Sequence, residues 1–383
     1  MTGNSEPARR LDYLCLQPTR QGQASYAHVN EIVGGLRRRG WTVRLIETAQ
    51  PQPGRLDGIR RAVAAATIQV GYWARSRFRP APIVYVRFHF LSLPTAAVAR
   101  AAGSTVIQEV NSGANDAYDM WPALRPMHRL LGWAARTQLR WADATIAVTE
   151  PIAAYVDGLT GRPGTCHVVG NGADVELFSP SRRGDPAPRP YAVFVGALAS
   201  WQGIEVAIDA AGSPAWPAGV DLVIVGDGRQ RDVVVAASQR HDHIRWLGTL
   251  PYREVGAVIA GSLTALVPAS DLDGARVAPS PVKLYEALAS GVPVVASDIV
   301  GVGAIVREHD CGLVFPSGDA LELANRVADL AGDPERAAAM GARGRAAAVE
   351  HYSWDVRAAQ TEAVIQQTLE ARARRARPVA RRS

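Results

Sequence analysis

The sequence predicts an α/β protein of two doubly wound, Rossmann-like domains that face each other across a cleft. Its 383 residues, 48% of them apolar, are enough for two hydrophobic cores. Short β-branched runs alternate with helical stretches, which is typical of parallel sheets covered by helices on both faces. One segment rich in Pro, Ser and charge divides this alternation in two. Because such sheets bind ligands at the carboxyl ends of their strands, we expect the site in the cleft.

The first half of the chain opens with a strand and a helix. Leu11–Leu16 is an apolar run, and Tyr26–Arg39 carries apolar residues at helical spacing until Gly40 ends it. The same apolar pattern predicts further buried strands at Trp41–Glu47, Ile83–Arg87, Thr105–Val110, Ala144–Thr149 and Cys166–Val169.

The second half repeats the pattern after Ser179–Pro190, the best linker candidate. Its predicted strands are Tyr191–Val195, Asp221–Val225, Ile244–Leu247, Thr264–Val267, Val292–Ser297 and Gly312–Phe315, followed by a helical region over 320–375. We therefore expect a first domain over 1–180, a linker over 181–190, a second domain over 191–352, a helix over 353–371 that packs back on the first domain, and a basic, disordered tail over 372–383.

Charge and cysteine content exclude several classes of protein. The net charge of +6 comes from six arginines in 372–383, because the other 36 basic residues equal the 36 acidic ones. A neutral body disfavours nucleic-acid binding. Cys15, Cys166 and Cys311 are far apart and suit reduced thiols better than a disulfide framework or a zinc site. With no bilayer-length apolar run and no secretory pattern in Met1–Arg10, we expect a cytoplasmic protein.

The segment Ser280–Asp298 carries the strongest signal for a binding site. Ser280 is a good N-cap and Pro281 a good first helical residue, so a helix is predicted to begin here. Lys283, the only lysine in the chain, then lies in the first turn, where the helix dipole disfavours a cation unless an anion binds beside it. Glu286 follows one turn later on the same face. The alternative is an ordinary helix with a solvated Lys–Glu pair.

Five motifs occur in the order found in GT-B-fold glycosyltransferases of family 4, and the chain resembles that family from Leu11 to Leu369. They are Asn171-Gly172-Ala173-Asp174 with Phe178 and Pro180, Val195-Gly196 through Trp201-Gln202-Gly203, Val223–Gly228, Glu286–Val295, and Tyr352-Ser353-Trp354. The resemblance implies a retaining glycosyltransferase that moves a sugar from a UDP- or GDP-sugar to an acceptor hydroxyl, in polysaccharide, glycolipid or other glycoconjugate biosynthesis. The first domain would bind the acceptor and the second the donor.

The resemblance also implies most of the site. It places Lys283 at the leaving diphosphate, as a catalytic and donor-binding residue. Its other donor-binding residues are Gln202, Gly226, Leu250, Ser280, Leu284 and Glu286. Because no cluster with metal-ligand spacing is apparent, we expect no metal and no cofactor besides the nucleotide sugar itself.

Two further parts of the site are predicted from the residues of the first half. Gly22 and Gln23 follow the first strand in a small-residue turn that lets backbone approach a phosphate or sugar, with a plain strand–helix turn as the alternative. Glu109 and Asn111 end the strand Thr105–Val110, where a carboxylate and an amide suit catalysis on bound sugar hydroxyls. Capping of the core is the alternative for these two residues.

Three positions depart from the family pattern. Ala278 replaces a glutamate that contacts the donor sugar, while Ala197 and Gln202 replace an arginine and a lysine that clamp the diphosphate in many members. A nucleotide-sugar epimerase of the same fold, or a non-catalytic donor-binding subunit of a glycan-assembly complex, therefore remains an alternative. A nicotinamide dehydrogenase is disfavoured because no G-x-G-x-x-G follows the first strand.

Two arginine-rich stretches raise the question of membrane contact. Residues 58–80 combine five arginines with Tyr72, Trp73 and Phe78, and the tail adds six more arginines. Solvated helix faces and a disordered end are the simpler interpretation. The expected partners are a nucleotide diphosphate sugar and a glycan, glycolipid or small-molecule acceptor, with peripheral contact at the inner face of the cell membrane as an additional hypothesis.

Overall fold

A computed structural model of the protein describes residues 9–19, 23–48, 57–76, 81–113, 122–182, 184, 187, 189–269 and 280–376. Gly22, Ala278 and the tail beyond residue 376 lie outside these ranges, as do several residues of the predicted linker. None of the described helices combines the length and the apolarity needed to cross a bilayer.

Contacts divide the chain into two compact units, 1–170 with 357–383, and 171–356. The boundary at 170 differs from the predicted one at 180, and the described residues within 181–190 belong to the second unit. Segments after residue 170 pack into that unit: Phe178 is fully buried in its core, and Asn171 is hydrogen-bonded to Ser280.

The first unit is built on a six-stranded parallel sheet in the order β2-β1-β3-β4-β5-β6. Its strands are β1 (Arg10–Cys15), β2 (Thr42–Glu47), β3 (Ile83–Arg87), β4 (Thr105–Val110), β5 (Ala144–Ala147) and β6 (Cys166–Val168). Its helices are α1 (Ala24–Arg38), α2 (Asp57–Ser76), α3 (Leu93–Ala101), α4 (His128–Trp141) and α5 (Glu150–Thr160). The strand order reverses between β1 and β3, and the carboxyl ends of strands at such a switch point form the usual ligand crevice.

The second unit has a six-stranded parallel sheet in the order β12-β11-β10-β7-β8-β9. Its strands are β7 (Tyr191–Val195), β8 (Asp221–Val225), β9 (Ile244–Trp246), β10 (Thr264–Val267), β11 (Val294–Ser297) and β12 (Gly312–Phe315). Its helices are α6 (Ile204–Ala211), α7 (Arg231–Arg240), α8 (Tyr252–Gly261), α9 (Val282–Ala289), α10 (Gly303–Glu308), α11 (Ala320–Gly332) and α12 (Pro334–His351). Here the switch point lies between β7 and β10.

Both sheets confirm the predicted class of two Rossmann-like domains. Every predicted strand is present, with ends that shift by at most two residues. Central strands such as β3 and β8 are buried along their whole length, as expected when helices cover both faces. The sheets therefore bury the apolar runs that the sequence pattern marked.

The helical region over 320–375 consists of three separate helices. Asp333 caps α12 by accepting a hydrogen bond from the Arg336 N–H, and a further helix, α13, begins at Trp354 and ends at Ala376. This last helix packs within the first unit, where a Cβ placed on Gly35 of α1 would lie 2.4 Å from the Ala358 Cβ. Such close approach of two helices requires the small residues found there.

Candidate functional site

Lys283 lies in the first turn of α9, in the second unit, and its ammonium group is buried. The Nζ atom lies 4.1 Å from the ring centroid of Phe194, near the carboxyl end of β7. Among the described residues it has no hydrogen-bond partner. Burial lowers the pKa of Lys283 to about 7, while attraction to Glu286 acts in the opposite direction. Because a buried cation without an acceptor is costly, this arrangement favours an anion beside Nζ.

Glycine backbone borders the lysine on the side of the switch point. Gly196, which follows β7, has a φ of 141°, and a Cβ placed on it would lie 3.1 Å from Lys283 Nζ. Gly226, which follows β8, has a φ of 137°, and its added Cβ would lie 1.9 Å from the Gly196 carbonyl oxygen. Side chains are thus excluded from both turns. A ligand at these strand ends would meet backbone and the single ammonium group.

Glu286 lies on the same helix, three residues after Lys283, and is also buried. One of its carboxylate oxygens accepts a hydrogen bond of 2.7 Å from the Tyr252 hydroxyl on α8. Burial raises the pKa of Glu286 to about 7, although the Tyr252 hydrogen bond and Lys283 both act to lower it. The carboxyl group of Glu286 and the amine of Lys283, each with a pKa of about 7, therefore lie one helical turn apart at this end of the sheet.

The start of α9 differs from the prediction at Ser280. Pro281 rather than Ser280 is the N-cap, since it is the last residue with extended backbone, and no side chain caps the first turn. Ser280 is bonded elsewhere: its hydroxyl accepts from the Asn171 N–H at 3.2 Å, and its carbonyl accepts from Asn171 Nδ2 at 2.7 Å. Asn171 thus fixes the entry to the helix, and among the described residues no side chain caps its first turn.

The remaining donor-binding candidates are positioned less favourably. Leu284, predicted to bind the donor, has its side chain fully buried in the core and donates its N–H to the Pro281 carbonyl at 3.1 Å. Leu250 packs against the same core. Gln202 is half-buried at the end of a short 3₁₀ turn over Ser200–Gln202.

In the first unit, Glu109 is the centre of a buried polar cluster at the ends of β1, β3 and β4. Its Oε1 atom lies 2.9 Å from His28 Nε2 and accepts from Arg87 Nη1 at 3.0 Å and from Asn111 Nδ2 at 2.6 Å. Its Oε2 atom accepts from the hydroxyls of Tyr85 at 2.6 Å and Tyr13 at 3.3 Å. Four donated hydrogen bonds, from Arg87, Asn111, Tyr85 and Tyr13, therefore occupy the two oxygens, which is about the full capacity of a carboxylate, and His28 lies beside them as an ion-pair partner.

This cluster changes the interpretation of Glu109. Burial raises the pKa of Glu109, but His28, Arg87 and Asn111 outweigh it and hold that pKa well below the usual range. A carboxylate that is ionised and saturated has no lone pair left for a sugar hydroxyl or a proton. The geometry favours core capping, the alternative kept above, over a catalytic role. Asn111 is half-buried, and its amide nitrogen donates to Glu109.

Gln23 is the N-cap of α1, and its side chain makes no capping hydrogen bond. It is exposed, and its carbonyl accepts from Tyr26 and Ala27. Among the described residues, no three His, Cys, Asp or Glu side chains come close enough together to hold a metal ion.

Sequence reasoning missed the residues that surround each predicted group. Phe194 lies against the Lys283 ammonium group, and Tyr252 donates to Glu286. In the sequence, each is an ordinary core residue of its own strand or helix. Tyr13 and Tyr85 stand opposite each other across β1 and β3, with ring centroids 4.8 Å apart. Only the pairing of those strands brings the two hydroxyls to one carboxylate, so no local signal could have revealed the cluster.

Comparison with protein families agrees with this architecture. The profile of the family Glycosyl transferases group 1 matches residues 178–347, and that of Glycosyltransferase Family 4 matches residues 27–177. Together the two matches cover most of both units.

Individual proteins show the same similarity along nearly the whole chain. A phosphatidyl-myo-inositol mannosyltransferase of Mycobacterium leprae is 28% identical over 361 residues, covering 87% of this chain and 90% of that protein. A GDP-mannose-dependent alpha-(1-6)-phosphatidylinositol monomannoside mannosyltransferase of Mycobacterium tuberculosis is 27% identical, covering 90% and 94%.

Solved structures show the same fold. Sucrose-phosphate synthase from Thermosynechococcus elongatus superposes with a TM-score of 0.77 at 18% identity, covering 94% of this chain and 99% of that one. Anabaena HepE in complex with UDP and glucose superposes with a TM-score of 0.68, also at 18% identity and with the same coverage.

Proposed function

The chain belongs to the GT-B glycosyltransferases of family 4, and we propose that it transfers a sugar, with retention, from a nucleoside diphosphate sugar to a hydroxyl of a glycan or glycolipid acceptor. One observation carries the placement of the donor. The ammonium group of Lys283 is buried at the switch point of the second sheet and has no acceptor among the described residues. A diphosphate is the anion that a nucleotide sugar would supply there.

The donor diphosphate would bind between Lys283 and the start of α9. No described side chain caps the first turn of α9, and the positive end of the helix dipole favours an anion at this position. Gly196 leaves space beside Nζ, because any side chain there would contact the lysine. Glu286 would accept hydrogen bonds from the ribose hydroxyls, one turn deeper on the helix.

Catalysis would then rest on stabilising the leaving diphosphate. As the bond from the anomeric carbon to the phosphate oxygen breaks, negative charge grows on the diphosphate, and a cation already in place stabilises it without reorganisation. Retention requires the acceptor hydroxyl to attack from the face that the diphosphate leaves. With Lys283 and backbone N–H groups in this role, the transfer would need no divalent metal.

The acceptor would bind on the first unit, at the carboxyl ends of its strands. Asn111 would contribute its amide oxygen, since its Nδ2 is held by Glu109. Glu109 would position Asn111, His28 and Arg87 rather than touch the substrate. Asn111→Ala should therefore raise the KM for the acceptor more than that for the donor, a difference that steady-state kinetics can measure.

The donor can be identified by thermal unfolding with UDP, GDP and ADP, and then with their glucose and mannose conjugates. Relatives named for GDP-mannose use and the HepE complexes with UDP make these two bases the first to test. The cognate nucleotide should raise the unfolding temperature, since ligand binding stabilises the folded state by mass action. No shift with any of them would count against a donor site on this chain.

Transfer is tested next with the cognate donor and a glycolipid fraction. A glycosidic product whose anomeric proton has the donor's configuration by NMR, formed equally in the presence of a chelator, would agree with the proposal. An isomerised donor without acceptor consumption would indicate the epimerase. Binding without any turnover would indicate a non-catalytic subunit.

A further inference from the structure

Helix α4 and the turn before it expose an unusual combination of apolar and basic side chains, here called the α4 surface. Met127, Leu130 and Trp133 are 45%, 55% and 59% exposed. Arg129, Arg136 and Arg140 are exposed beside them, so the α4 surface consists of these six residues. Exposed leucine and tryptophan on one short helix are unfavourable in water unless another apolar phase covers them.

The helix has two distinct faces. Its buried side chains, which hold it on the first unit, are Leu131, Ala134, Ala135, Gln138 and Leu139. Arg129, Trp133, Arg136 and Arg140 recur at spacings of four, three and four residues, which places them in one stripe on the opposite face. Trp133 thus lies between arginines along the stripe, and Leu130 lies beside the stripe, one helical turn before Trp133 in the sequence.

The charge of the α4 surface is uniformly positive. Residues 122–141 include four arginines and no acid. At the end of α4, Arg100 of α3 donates to the Trp141 carbonyl, and Arg372 of α13 donates to Thr105 and pairs with Asp143. The described part of the arginine-rich end of the chain therefore begins next to the end of α4, where Arg372 pairs with Asp143.

Acidic groups on the neighbouring elements do not neutralise this surface. On α5, the Asp157 carboxylate accepts from the backbone N–H groups of Gly164 and Cys166, and Glu150 is exposed at the start of that helix. Asp143 accepts from the Val106 N–H as well as pairing with Arg372. Among the described residues of this region, the exposed acids are Asp143 and Glu150, whereas four arginines are exposed along 125–140.

We propose that the α4 surface is the part of this protein that lies on an anionic lipid membrane. Tryptophan and leucine between arginines match the boundary between headgroups and acyl chains, where apolar bodies insert and guanidinium groups contact lipid phosphates. A nucleic acid would use the arginines and stack on Trp133, but it would leave Leu130 and Met127 uncovered. Charge and apolar exposure together therefore favour lipid.

This assignment replaces the stretch over 58–80 that the sequence suggested. There, Tyr72 is buried in the core and Trp73 packs against it, so neither ring can insert into a bilayer. Phe78 lies outside the described residues. Trp133 of α4 is the most exposed of the described aromatic side chains, and this inference holds whether or not Lys283 binds a donor.

Vesicle flotation of the full chain tests the proposal. Vesicles of phosphatidylcholine alone are compared with vesicles that contain about 30% phosphatidylglycerol, at low salt and at about 0.5 M salt. The chain should bind the anionic vesicles and lose most of that binding at high salt. Replacing Arg129, Arg136 and Arg140 together by Gln should weaken partitioning about 10²-fold at low salt, at about fivefold for each arginine near an anionic surface.

Trp133→Ser should weaken binding at both salt concentrations, because its contribution is apolar. Leu130→Ser is a second variant for the same contribution. The matched controls lie on the second unit: replacement of three exposed arginines, Arg240, Arg253 and Arg336, by Gln, and Leu321→Ser at a residue that is 58% exposed. Circular dichroism and unfolding temperature confirm that each variant folds, and the controls should bind as the intact chain does.

Three results would overturn the proposal. The intact chain could ignore anionic vesicles at low salt. The α4 variants could bind as well as the intact chain, which would place the contact elsewhere, and deletion of 377–383 would then show whether the tail provides it. Analytical ultracentrifugation could show that Trp133→Ser dissociates an oligomer while leaving flotation unchanged, which would make the surface a protein interface.

Discussion

Replacing Lys283 by Met should raise the stability of the protein while lowering its activity. The substitution keeps an unbranched side chain of similar length against the Phe194 ring but removes the buried charge. In the free protein that charge has no acceptor among the described residues, so its removal relieves a cost. In the donor complex the same charge faces the diphosphate, so its removal loses a contact.

The environment of the ammonium group gives the size of both the gain in stability and the loss of activity. The pKa of Lys283 is lowered from 10.5 to about 7, so at pH 8 the unfolded chain binds a proton that the folded chain mostly lacks. At about 1.4 kcal/mol per pKa unit this costs the folded state about 3 kcal/mol. The cost grows as the pH falls from 10.5 to 7 and is constant below. Loss of one main electrostatic contact to a leaving group should lower turnover about 10²-fold, or about 3 kcal/mol.

Urea unfolding and initial-rate assays with the cognate donor measure the two effects on the same samples. Arg336→Met is the matched control, since it removes an exposed cation from the first turn of another helix of the same unit. It should leave both stability and turnover almost unchanged. Unaltered turnover and nucleotide affinity in Lys283→Met would refute the placement of the diphosphate. A loss of stability would refute the inference that the ammonium group is buried without an acceptor.

Three further predictions follow from the same structure. Calorimetric affinity for the nucleoside diphosphate should fall as the pH rises above 7, because Lys283 loses its proton. Lys283→Arg, which stays charged, should bind more weakly and lose the part of the pH dependence that comes from Lys283, leaving only that of Glu286; an unchanged pH profile in the arginine variant would contradict this. Glu109→Gln should lower the free energy of unfolding by about 3–5 kcal/mol, since it leaves Arg87 buried without its counter-charge, and an unchanged urea midpoint would contradict this. Gly226→Ala should cost at least about 2 kcal/mol and weaken nucleotide binding, because its Cβ would lie 1.9 Å from a backbone carbonyl oxygen at a φ of 137°. Gly318→Ala is the control for backbone strain alone, because Gly318 also has a positive φ but an added Cβ would meet no atom within 4 Å. Equal losses of stability in the two variants would show that the contact of the Cβ at position 226 with the carbonyl oxygen does not matter.

The order in which strands and helices follow one another could be predicted because it depends on local composition. A run such as Ile83–Arg87 is apolar throughout, which a strand buried on both faces requires, and the alternation with helices requires parallel pairing. The family motif at Glu286–Val295 likewise pointed to the correct helix for the lysine. The spatial order of the strands was not predictable at that level, because nothing in one strand specifies which strand it pairs with.

Predictions about individual side chains succeeded where neighbours along the chain decide them and failed where distant segments do. Lys283 was placed correctly in a first helical turn because position in a helix is local. The exclusion of Ser280 from capping depends on Asn171, more than 100 residues away in the chain. Glu109 was expected at a strand end and is there, but its saturation by donors depends on α1, β1 and β3 together.

The sequence by itself thus determined the fold class, the twelve strands, the family motifs and the helix that bears the single lysine. These features depend on the period of apolar residues, on turn-forming residues and on spacing within one segment. The tertiary structure alone decided that the ammonium group of Lys283 is buried against Phe194, that Glu109 is saturated, and that α4 presents tryptophan to solvent while α2 buries its aromatic rings. Burial and hydrogen-bond saturation are properties of packing between remote segments, and the free energy of a charge depends on which groups those segments bring within a few ångströms of it.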